Sequence, residues 1–367
     1  HVPREGRRRP LARRRNDGSA LEVRRHVRCQ MRPVADRVVV LSFPDAWDAP
    51  ISPWARTMEA RARRWLSDEG VLIGEAGARK FDRLAVGHYA NWPFPTADEE
   101  AAETITKFLA LWIFYDDVIE EVDDGLGERV AQAVAGRPET RPMGEPYLAC
   151  WWELGRACRR RMSEAWLDRH ALRFSEWLWS VRDESTAAQV FRRSGVVPTA
   201  AAHLARRRLN IGMLPNVDFI EYQHGRELPE AVFQMPEVIA ITHAACEMVA
   251  IVNDLFGWSK DQSAGWPNLV SSIQHDLGSS LEEAFERAVA MNDARIQTVT
   301  ELESRALAKV DGDPLVRDWL RALRHVVHGF ARWHQMAPRY RSVFDLGGAR
   351  TLRIDVRTRS QPTAVCG

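Results

Sequence analysis

The sequence predicts an all-α protein, built as a single helical bundle around an apolar central cavity. Apolar residues recur at spacings of three and four from residue 53 to residue 344, which is the period of a helix with one buried face. Gly and Pro interrupt this pattern, and no convincing alternating strand lies between the interruptions. No internal repeat is present, so we expect one bundle of roughly 300 residues.

Composition divides the 367 residues into three segments. Residues 1–37 contain twelve Arg against four acidic residues and lack aromatic side chains, so we expect a disordered extension without a specific nucleic-acid site. This segment carries a local charge of +8, whereas the whole chain carries +1, which leaves −7 on the rest. Residues 38–345 form the predicted bundle domain, and the polar residues 346–367 a flexible tail.

The bundle domain begins with a Pro-punctuated extended stretch that ends at Ser52-Pro53, a good helix start. The predicted helices that follow span residues 53–67, 72–83, 97–122, 144–164, 168–185, 197–212, 216–223, 235–261, 267–275, 279–310 and 313–344. Residues 238–256 are the most apolar, but Glu247, Asn253 and Asp254 interrupt them. We therefore predict a buried core helix there and no membrane span.

The cysteine pattern indicates a cytoplasmic protein. Five Cys residues show neither a CxxC pair nor a regular framework, which is typical of free thiols in a reducing compartment. No apolar segment follows the basic N-terminus, as a secretory signal would require. Oligomeric state is not readable from these features, and a homodimer is left open.

A first acidic motif follows an aromatic run. Asp116, Asp117 and Glu120 come directly after residues 112–115, whose sequence is WIFY. On a helix, Asp116 and Glu120 would share one face. Carboxylates this close repel one another unless a multivalent cation lies between them, and Mg²⁺ prefers such oxygen ligands. The alternative is a solvated acidic helix end, but a solvated face does not begin inside a core.

A second polar group and several basic residues suggest an opposite wall. Asn253, Gly257 and Asp261 follow one another at intervals of four near the end of the apolar helix. Arg and Lys side chains that could hold phosphate are Arg206, Arg207, Arg208, Lys260 and Arg339, the last followed by Tyr340. Each of these polar or basic residues alone would be interpreted as an ordinary solvent-exposed side chain. Together with the Trp- and Phe-rich interior they describe a pocket for a prenyl diphosphate.

These residues resemble the motifs of bacterial class I terpene synthases over about residues 43–344. The resemblance matches the aspartate-rich motif to Asp116, Asp117 and Glu120, and the second metal motif to Asn253, Gly257 and Asp261. It further places the diphosphate sensor at Arg207, the linker at Asn210, the effector at Ile211-Gly212, the motif lysine at Lys260 and the C-terminal pair at Arg339 and Tyr340, preceded by Trp333. Five motifs in the right order are far more specific than any one of them.

Two positions depart from that family's pattern. Gly257 stands where a Ser hydroxyl would bind metal, and Asp261 stands where the family has Glu. Asp is one methylene shorter than Glu, so we expect a functional metal site whose position or strength is altered. A catalytically weakened, diphosphate-binding homologue is the alternative that these two residues raise.

The resemblance implies a terpene cyclase, a lyase that releases diphosphate from farnesyl or geranylgeranyl diphosphate. It implies three Mg²⁺ ions between Asp116 on one wall and Asn253 with Asp261 on the other. The implied diphosphate ligands are Arg207, Lys260, Arg339 and Tyr340, with Asn210 and Ile211-Gly212 coupling diphosphate binding to closure. The expected apolar wall comprises Phe108, Trp112, Ile113, Phe330 and Trp333, whose rings would stabilise positive charge. A chain-elongating prenyltransferase has two DDxxD motifs, and this sequence has one.

Overall fold

The structure is a computed structural model that describes residues 37–116, 118, 124–137, 139–347 and 350–360. Its helices are α1 (Ala55–Asp68), α2 (Gly74–Leu84), α3 (Val86–Asn91), α4 (Glu99–Asp116), α5 (Asp124–Val134), α6 (Pro146–Arg159), α7 (Glu164–Ser194), α8 (Ala200–Asn210), α9 (Met213–Tyr222), α10 (Glu230–Phe233), α11 (Pro236–Ala264), α12 (Leu269–Leu277), α13 (Leu281–Lys309) and α14 (Pro314–Met336). The strands are β1 (Arg37–Pro44), β2 (Val343–Gly347) and β3 (Arg350–Arg359). The predicted all-α class is confirmed.

Two helices with long buried stretches, α4 and α11, form the centre of the bundle. In α4, every side chain from Phe108 to Tyr115 is buried, and two glutamates in its first turn complement the helix dipole. Helix α11 begins with Pro236 and ends at Gly265, which adopts a left-handed conformation with φ 67°. Its length and hydropathy would suit a membrane span, but 78% of its most apolar window is buried by the protein itself. The predicted core helix is thereby confirmed.

Helix α9 is fixed to α7 by a buried ionic network. Asp218 is completely buried and accepts a hydrogen bond from Arg173 as well as contacting His170 Nδ1 at 3.1 Å. Arg169 binds both Asp218 and Glu221. A buried carboxylate is tolerated only when it is paired in this way. The ionic network therefore holds α9, and the chain break that precedes it, firmly in position.

Helix α14 ends earlier than the sequence predicts. The predicted helix 313–344 stops at Met336, because Pro338 cannot continue the hydrogen-bond ladder. Arg339 and Tyr340 consequently lie in a loop. That loop is held by the hydrogen bond from Arg339 N to Arg83 O, at 3.1 Å, and by a turn from Tyr340 N to Ala337 O, at 3.0 Å.

The C-terminal segment is structured further than we predicted. In place of a tail from residue 346, β2 and β3 form an antiparallel pair, and β3 also pairs in parallel with β1. Leu352 and Ile354 of β3 are fully buried, while the intervening Arg353 is exposed. Phe344 of β2 packs on Phe285 of α13 at 5.1 Å between ring centroids. This alternation was hidden in the sequence by its many Arg residues, and the bundle domain therefore extends to at least Ser360.

Other differences follow from element length. Helix α7 runs for 31 residues where we predicted 168–185, since Ser163 caps its start by accepting a hydrogen bond from Trp166 N. The predictions missed α3, α5 and α10; α3 and α10 are too short to show a helical period. Residues 1–36 and 361–367, and the motif residues Asp117 and Glu120, lie outside the described residues.

Candidate active site

A cavity of about 390 Å³ lies between α4, α7, α8, α9, α11 and the end of α14. Most of the predicted site residues line it, although they come from distant parts of the chain. These lining residues are Trp112, Ile113, Asp116, Arg207, Asn210, Ile211, Asn253, Gly257, Lys260, Asp261, Phe330, Trp333, Arg339 and Tyr340. The folded chain thus brings the acidic residue of α4 and the polar residues of α11 to one cavity.

Arg207 connects three elements at the polar end of the cavity. Its Nη1 donates to Asn210 Oδ1 at 3.0 Å, and its Nη2 donates to Asn253 Oδ1 at 2.7 Å. Its Nε lies 3.1 Å from Asp254 Oδ1, and Nη1 lies 3.6 Å from Glu184 Oε1. Burial opposes the guanidinium charge, but Asp254 and Glu184 more than offset this and raise the pKa of Arg207.

Asp254 is the buried residue that orients this arginine. Its Oδ2 accepts a hydrogen bond from Leu269 N at 2.8 Å and lies 2.6 Å from His203 Nε2. Burial alone would raise the pKa of Asp254, but Arg207 and His203 lower it, so the carboxylate is charged. The sequence reasoning treated Asp254 only as an interruption of an apolar helix. Its position beside Asn253 could have indicated a supporting role.

The two departures from the family pattern lie against each other. A Cβ added to Gly257 would be 3.3 Å from Asp261 Oδ2, so the carboxylate of Asp261 lies over the place that a larger residue would occupy. Asn268, which is fully buried, donates from Nδ2 to Asp261 Oδ2 at 2.8 Å and to Asp254 O at 2.9 Å. The absence of a side chain at Gly257 therefore provides room for Asp261, and Asn268 fixes its direction.

Asn253 is oriented from its other side by two residues of the C-terminal region. Its Nδ2 donates to Tyr340 Oη at 3.1 Å and lies 3.1 Å from His334 Nε2. Since His334 Nδ1 lies 2.7 Å from Phe330 O, that nitrogen carries the proton and Nε2 accepts. Burial lowers the pKa of His334 to about 3, so its imidazole is neutral. The amide oxygen of Asn253 is consequently directed toward Arg207.

The break between α8 and α9 is shaped by close packing. Gly212 has φ 73°, and a Cβ on it would be 2.6 Å from Trp112 Cζ2, so only glycine fits. Asn216 Nδ2 donates to Gly212 O at 2.7 Å, and Trp177 Nε1 donates to Asn210 O at 3.2 Å. Gly212 itself is not among the described residues that line the cavity.

Aromatic rings form the apolar end of the cavity. Trp112 packs on Trp177 with ring centroids 4.0 Å apart, and Tyr89 packs on Trp333 at 4.1 Å. Phe108, which we predicted in this wall, instead packs behind it against Trp112 at 5.6 Å and does not line the cavity in the described structure. Phe108 lies one helical turn before Trp112, and the cavity does not reach that depth.

Several lining residues were missed by sequence reasoning, because they carry no motif and reach the cavity only through helix packing. They are Tyr89, Trp177, Val181, Glu184, Met213, Asn216, Val249, Asp254, Trp266, Pro267 and His334. Of these, Glu184 adds a carboxylate whose pKa is raised by burial. It occurs in α7, at a position whose sequence context resembles a solvated helix face.

Four carboxylates are concentrated at the polar end of the cavity. Asp116, Glu184, Asp254 and Asp261 all line it. Burial, followed by the neighbouring Asp254, raises the pKa of Asp261 to about 6. Among the described residues, no three His, Cys, Asp or Glu side chains form a metal-binding group by themselves.

The site belongs to an all-α bundle whose central cavity joins carboxylates and an arginine to an aromatic wall. The terpene synthase family 2 profile, described as C-terminal metal binding, matches residues 107–298, which is just over half the chain. The chain therefore belongs to terpene synthase family 2, and it is an enzyme of the terpene synthase type.

Characterised relatives agree with this assignment. Pristinol synthase from Streptomyces pristinaespiralis is 26% identical over 326 residues, covering 83% of this chain and 85% of the relative. The (−)-β-caryophyllene synthase of Saccharothrix espanaensis, described as cyclising (2E,6E)-farnesyl diphosphate, is 26% identical over 317 residues, covering 82% and 87%.

Solved structures show the same fold. Wild-type cucumene synthase is 24% identical and superposes with a TM-score of 0.64, covering 78% of this chain and 97% of that one. Linalool/nerolidol synthase from Streptomyces clavuligerus superposes with a TM-score of 0.70 at 22% identity, covering 78% and 98%. Each solved chain is almost completely covered, so the bundle is shared and about a fifth of the present chain lies outside the match.

Proposed function

We propose that this enzyme is a Mg²⁺-dependent terpene cyclase that ionises a prenyl diphosphate and cyclises the resulting allylic cation in the cytoplasm. The observation that carries the proposal is the two-ended cavity, with carboxylates and Arg207 at one end and stacked aromatic rings at the other. A prenyl diphosphate has the same division between a charged head and an apolar chain. We propose farnesyl or geranylgeranyl diphosphate as the substrate. The farnesyl-cyclising relative supports the first of these.

The residues present fit a magnesium site. Asp116 on α4 and Asn253 with Asp261 on α11 supply the carboxylate and amide oxygens that Mg²⁺ prefers. Burial and the neighbouring Asp254 raise the pKa of Asp261, and a bound cation would favour its charged form. When bound, Mg²⁺ would neutralise the diphosphate and assist its departure. The resemblance to class I enzymes suggests three ions, and Asp117 and Glu120 remain proposed ligands.

The chain's own cations can hold the diphosphate once it is in the cavity. Arg207, Lys260 and Arg339 all line the polar end. Tyr340 accepts a hydrogen bond from Asn253 at 3.1 Å, which leaves its hydroxyl proton for a phosphate oxygen. Burial raises the pKa of Tyr340, so this proton is retained. Arg207 and Tyr340 are held in place by their hydrogen bonds, and preorganised donors stabilise the charge that develops on the leaving group.

The aromatic wall has two tasks, to exclude water and to stabilise positive charge. Trp112, Trp177, Phe330 and Trp333 are all buried and surround the apolar end. Each ring face contributes about 0.5–2 kcal/mol toward a desolvated cation. At the helix break, Asn216 and Trp177 hold the carbonyls of Gly212 and Asn210 through their hydrogen bonds. We propose that this break responds to diphosphate bound at Arg207.

Incubation with Mg²⁺ and, in turn, geranyl, farnesyl and geranylgeranyl diphosphate tests the proposal. We expect one substrate to give cyclic hydrocarbons or alcohols in an organic overlay, together with released diphosphate. Asp116→Ala and Asn253→Ala should abolish turnover and leave the helical circular dichroism unchanged. Elongated prenyl diphosphates from isopentenyl diphosphate would indicate a prenyltransferase instead.

The alternative is a diphosphate-binding homologue that no longer catalyses, and the departures at Gly257 and Asp261 are the observation that raises it. In that case the protein would bind inorganic diphosphate with Mg²⁺ but release none from any of the three substrates. Isothermal titration calorimetry run beside the substrate panel separates this result from a protein that binds nothing.

A further inference from the structure

A second cavity, of about 700 Å³, lies beside the active-site cavity. The two cavities share Gly257, Lys260, Arg339 and Tyr340 in their linings. The second one is otherwise bounded by α2, by the outer face of α11 and by the loop that follows α14. A molecule in it would be in reach of the polar end of the active site.

The charged side chains that line this second cavity are all positive among the described residues. Six Lys or Arg side chains line it, and no Asp or Glu occurs among the described residues of its lining. The active-site cavity, by contrast, is lined by four carboxylates. Four of the six cations, Arg79, Lys80, Arg83 and Arg341, line only the second cavity, and Lys80 already donates a hydrogen bond to Ile113 O. A concave surface with charge of one sign raises the local concentration of ions of the other sign.

The helix that carries two of these arginines is anchored to the active-site walls. Arg83 O accepts the hydrogen bond from Arg339 N at 3.1 Å, and Leu84 O accepts one from Trp333 Nε1 at 2.6 Å. Lys80 Nζ donates to Ile113 O at 3.1 Å, close to the end of α4. Arg79 and Arg83 are four residues apart, so they share one face of α2. Arg79 also pairs with the exposed Glu75.

We propose that Arg79, Arg83 and Arg341 form an outer diphosphate-binding site. It takes the head group of the incoming prenyl diphosphate and, in the reverse direction, the inorganic diphosphate that leaves. This role rests on the proposed function. Guanidinium groups bind phosphate oxygens through paired hydrogen bonds and require no metal. The arginines are exposed, so binding is weak and decreases with salt.

A titration of inorganic diphosphate in EDTA tests the outer site, because chelation removes the metal ions that the inner site is proposed to use. The test variant is Arg79→Gln/Arg83→Gln/Arg341→Gln. The matched control is Arg64→Gln/Arg287→Gln/Arg305→Gln, which removes the same charge from exposed positions that line neither cavity. We expect wild type and control to bind alike and the test variant to bind about tenfold more weakly. Equal binding by all three proteins, or no binding by wild type, would overturn the proposal.

Steady-state kinetics with Mg²⁺ and a prenyl diphosphate separate this proposal from the proposed function. The test variant should raise KM several-fold with a much smaller effect on kcat, and the difference should shrink as salt is added. An active test variant with the KM of the control protein would refute the role in substrate capture. An inactive wild type would contradict the proposed function, and the EDTA titration would still decide the outer site.

Discussion

Replacing Asn268 with Ser tests whether the carboxylate of Asp261 is positioned by the neighbouring helix. Asn268 Oδ1 accepts from Val270 N at 2.9 Å and caps α12, while Nδ2 donates to Asp261 Oδ2 at 2.8 Å and to Asp254 O at 2.9 Å. Ser is an equally good cap, but its hydroxyl is too short to reach Asp261. The substitution therefore removes the two Nδ2 bonds and keeps the helix start.

The magnitude follows from those two bonds. A hydrogen bond to a charged acceptor contributes about 1.5–3 kcal/mol, and one to a carbonyl about 0.5–1.5 kcal/mol. Asn268→Ser should therefore lower the free energy of unfolding by roughly 2–4.5 kcal/mol. A group that orients a metal ligand also changes metal affinity by about 10–100-fold. The Mg²⁺ concentration for half-maximal turnover should rise by that factor.

Urea unfolding measures the first quantity, and Mg²⁺ titrations of turnover measure the second. A Mg²⁺ titration of the melting temperature, with inorganic diphosphate present, gives a readout independent of catalysis. Ser280→Ala is the control, because it removes the cap of α13 without touching the cavity. It should lower stability by about 0.5–2 kcal/mol and leave the Mg²⁺ dependence unchanged. If Asn268→Ser behaves like this control, the proposed positioning of Asp261 is wrong.

Three further predictions use the same cavity. Gly257→Ser should weaken Mg²⁺ binding, because its Cβ would lie 3.3 Å from Asp261 Oδ2, and adding Asp261→Glu should partly restore binding. Mg²⁺ titrations of wild type, the two single variants and the double variant measure this, and additive effects of the two substitutions would contradict the contact. Gly212→Ala should lower kcat, because its Cβ would lie 2.6 Å from Trp112 Cζ2, and adding Trp112→Phe should recover part of the loss. An unchanged kcat for Gly212→Ala would refute the packing argument. The pKa of His334 is lowered to about 3, so the unfolded chain binds a proton below about pH 6.5 that the folded protein does not. The contribution of this residue to the free energy of unfolding is therefore complete above pH 6.5 and falls by about 1.4 kcal/mol per pH unit toward pH 3. His334→Gln should reduce the pH dependence of the free energy of unfolding measured in urea, and an unchanged pH dependence would refute this prediction.

Both walls of the site could be predicted because they contain polar residues within or directly after apolar stretches. Asn253 and Asp261 are polar residues at the end of a helix that is otherwise apolar, and Asp116 follows a run of apolar and aromatic residues. Such conflicts between a residue and its surroundings are visible without coordinates and tend to mark functional sites. Arg207 was identified through the resemblance to the family, whose diphosphate-sensing Arg lies 46 residues before the Asn of the second motif. That the two side chains bond to each other at 2.7 Å required the structure.

The supporting residues could not be predicted, because each depends on how two helices pack. Asn268 begins α12 as an ordinary cap, and only the approach of α11 brings its amide nitrogen to Asp261. His334 shares a helix with Phe330 and Trp333, but its bond to Asn253 joins elements 81 residues apart. The prediction that Phe108 lines the cavity was wrong for a different reason. It shares a helical face with Trp112, and sequence spacing does not show where along that face the cavity ends.

From the geometry around Gly257 we propose that the metal site predicted at Asn253, Gly257 and Asp261 is an altered site that still binds metal. Here the carboxylate of Asp261 occupies the space over Gly257, and a completely buried amide from Asn268 holds it there. A buried polar group is costly unless it is satisfied, so an idle site would have no reason to keep this arrangement. The two departures therefore act as one change, which is why they must be tested together.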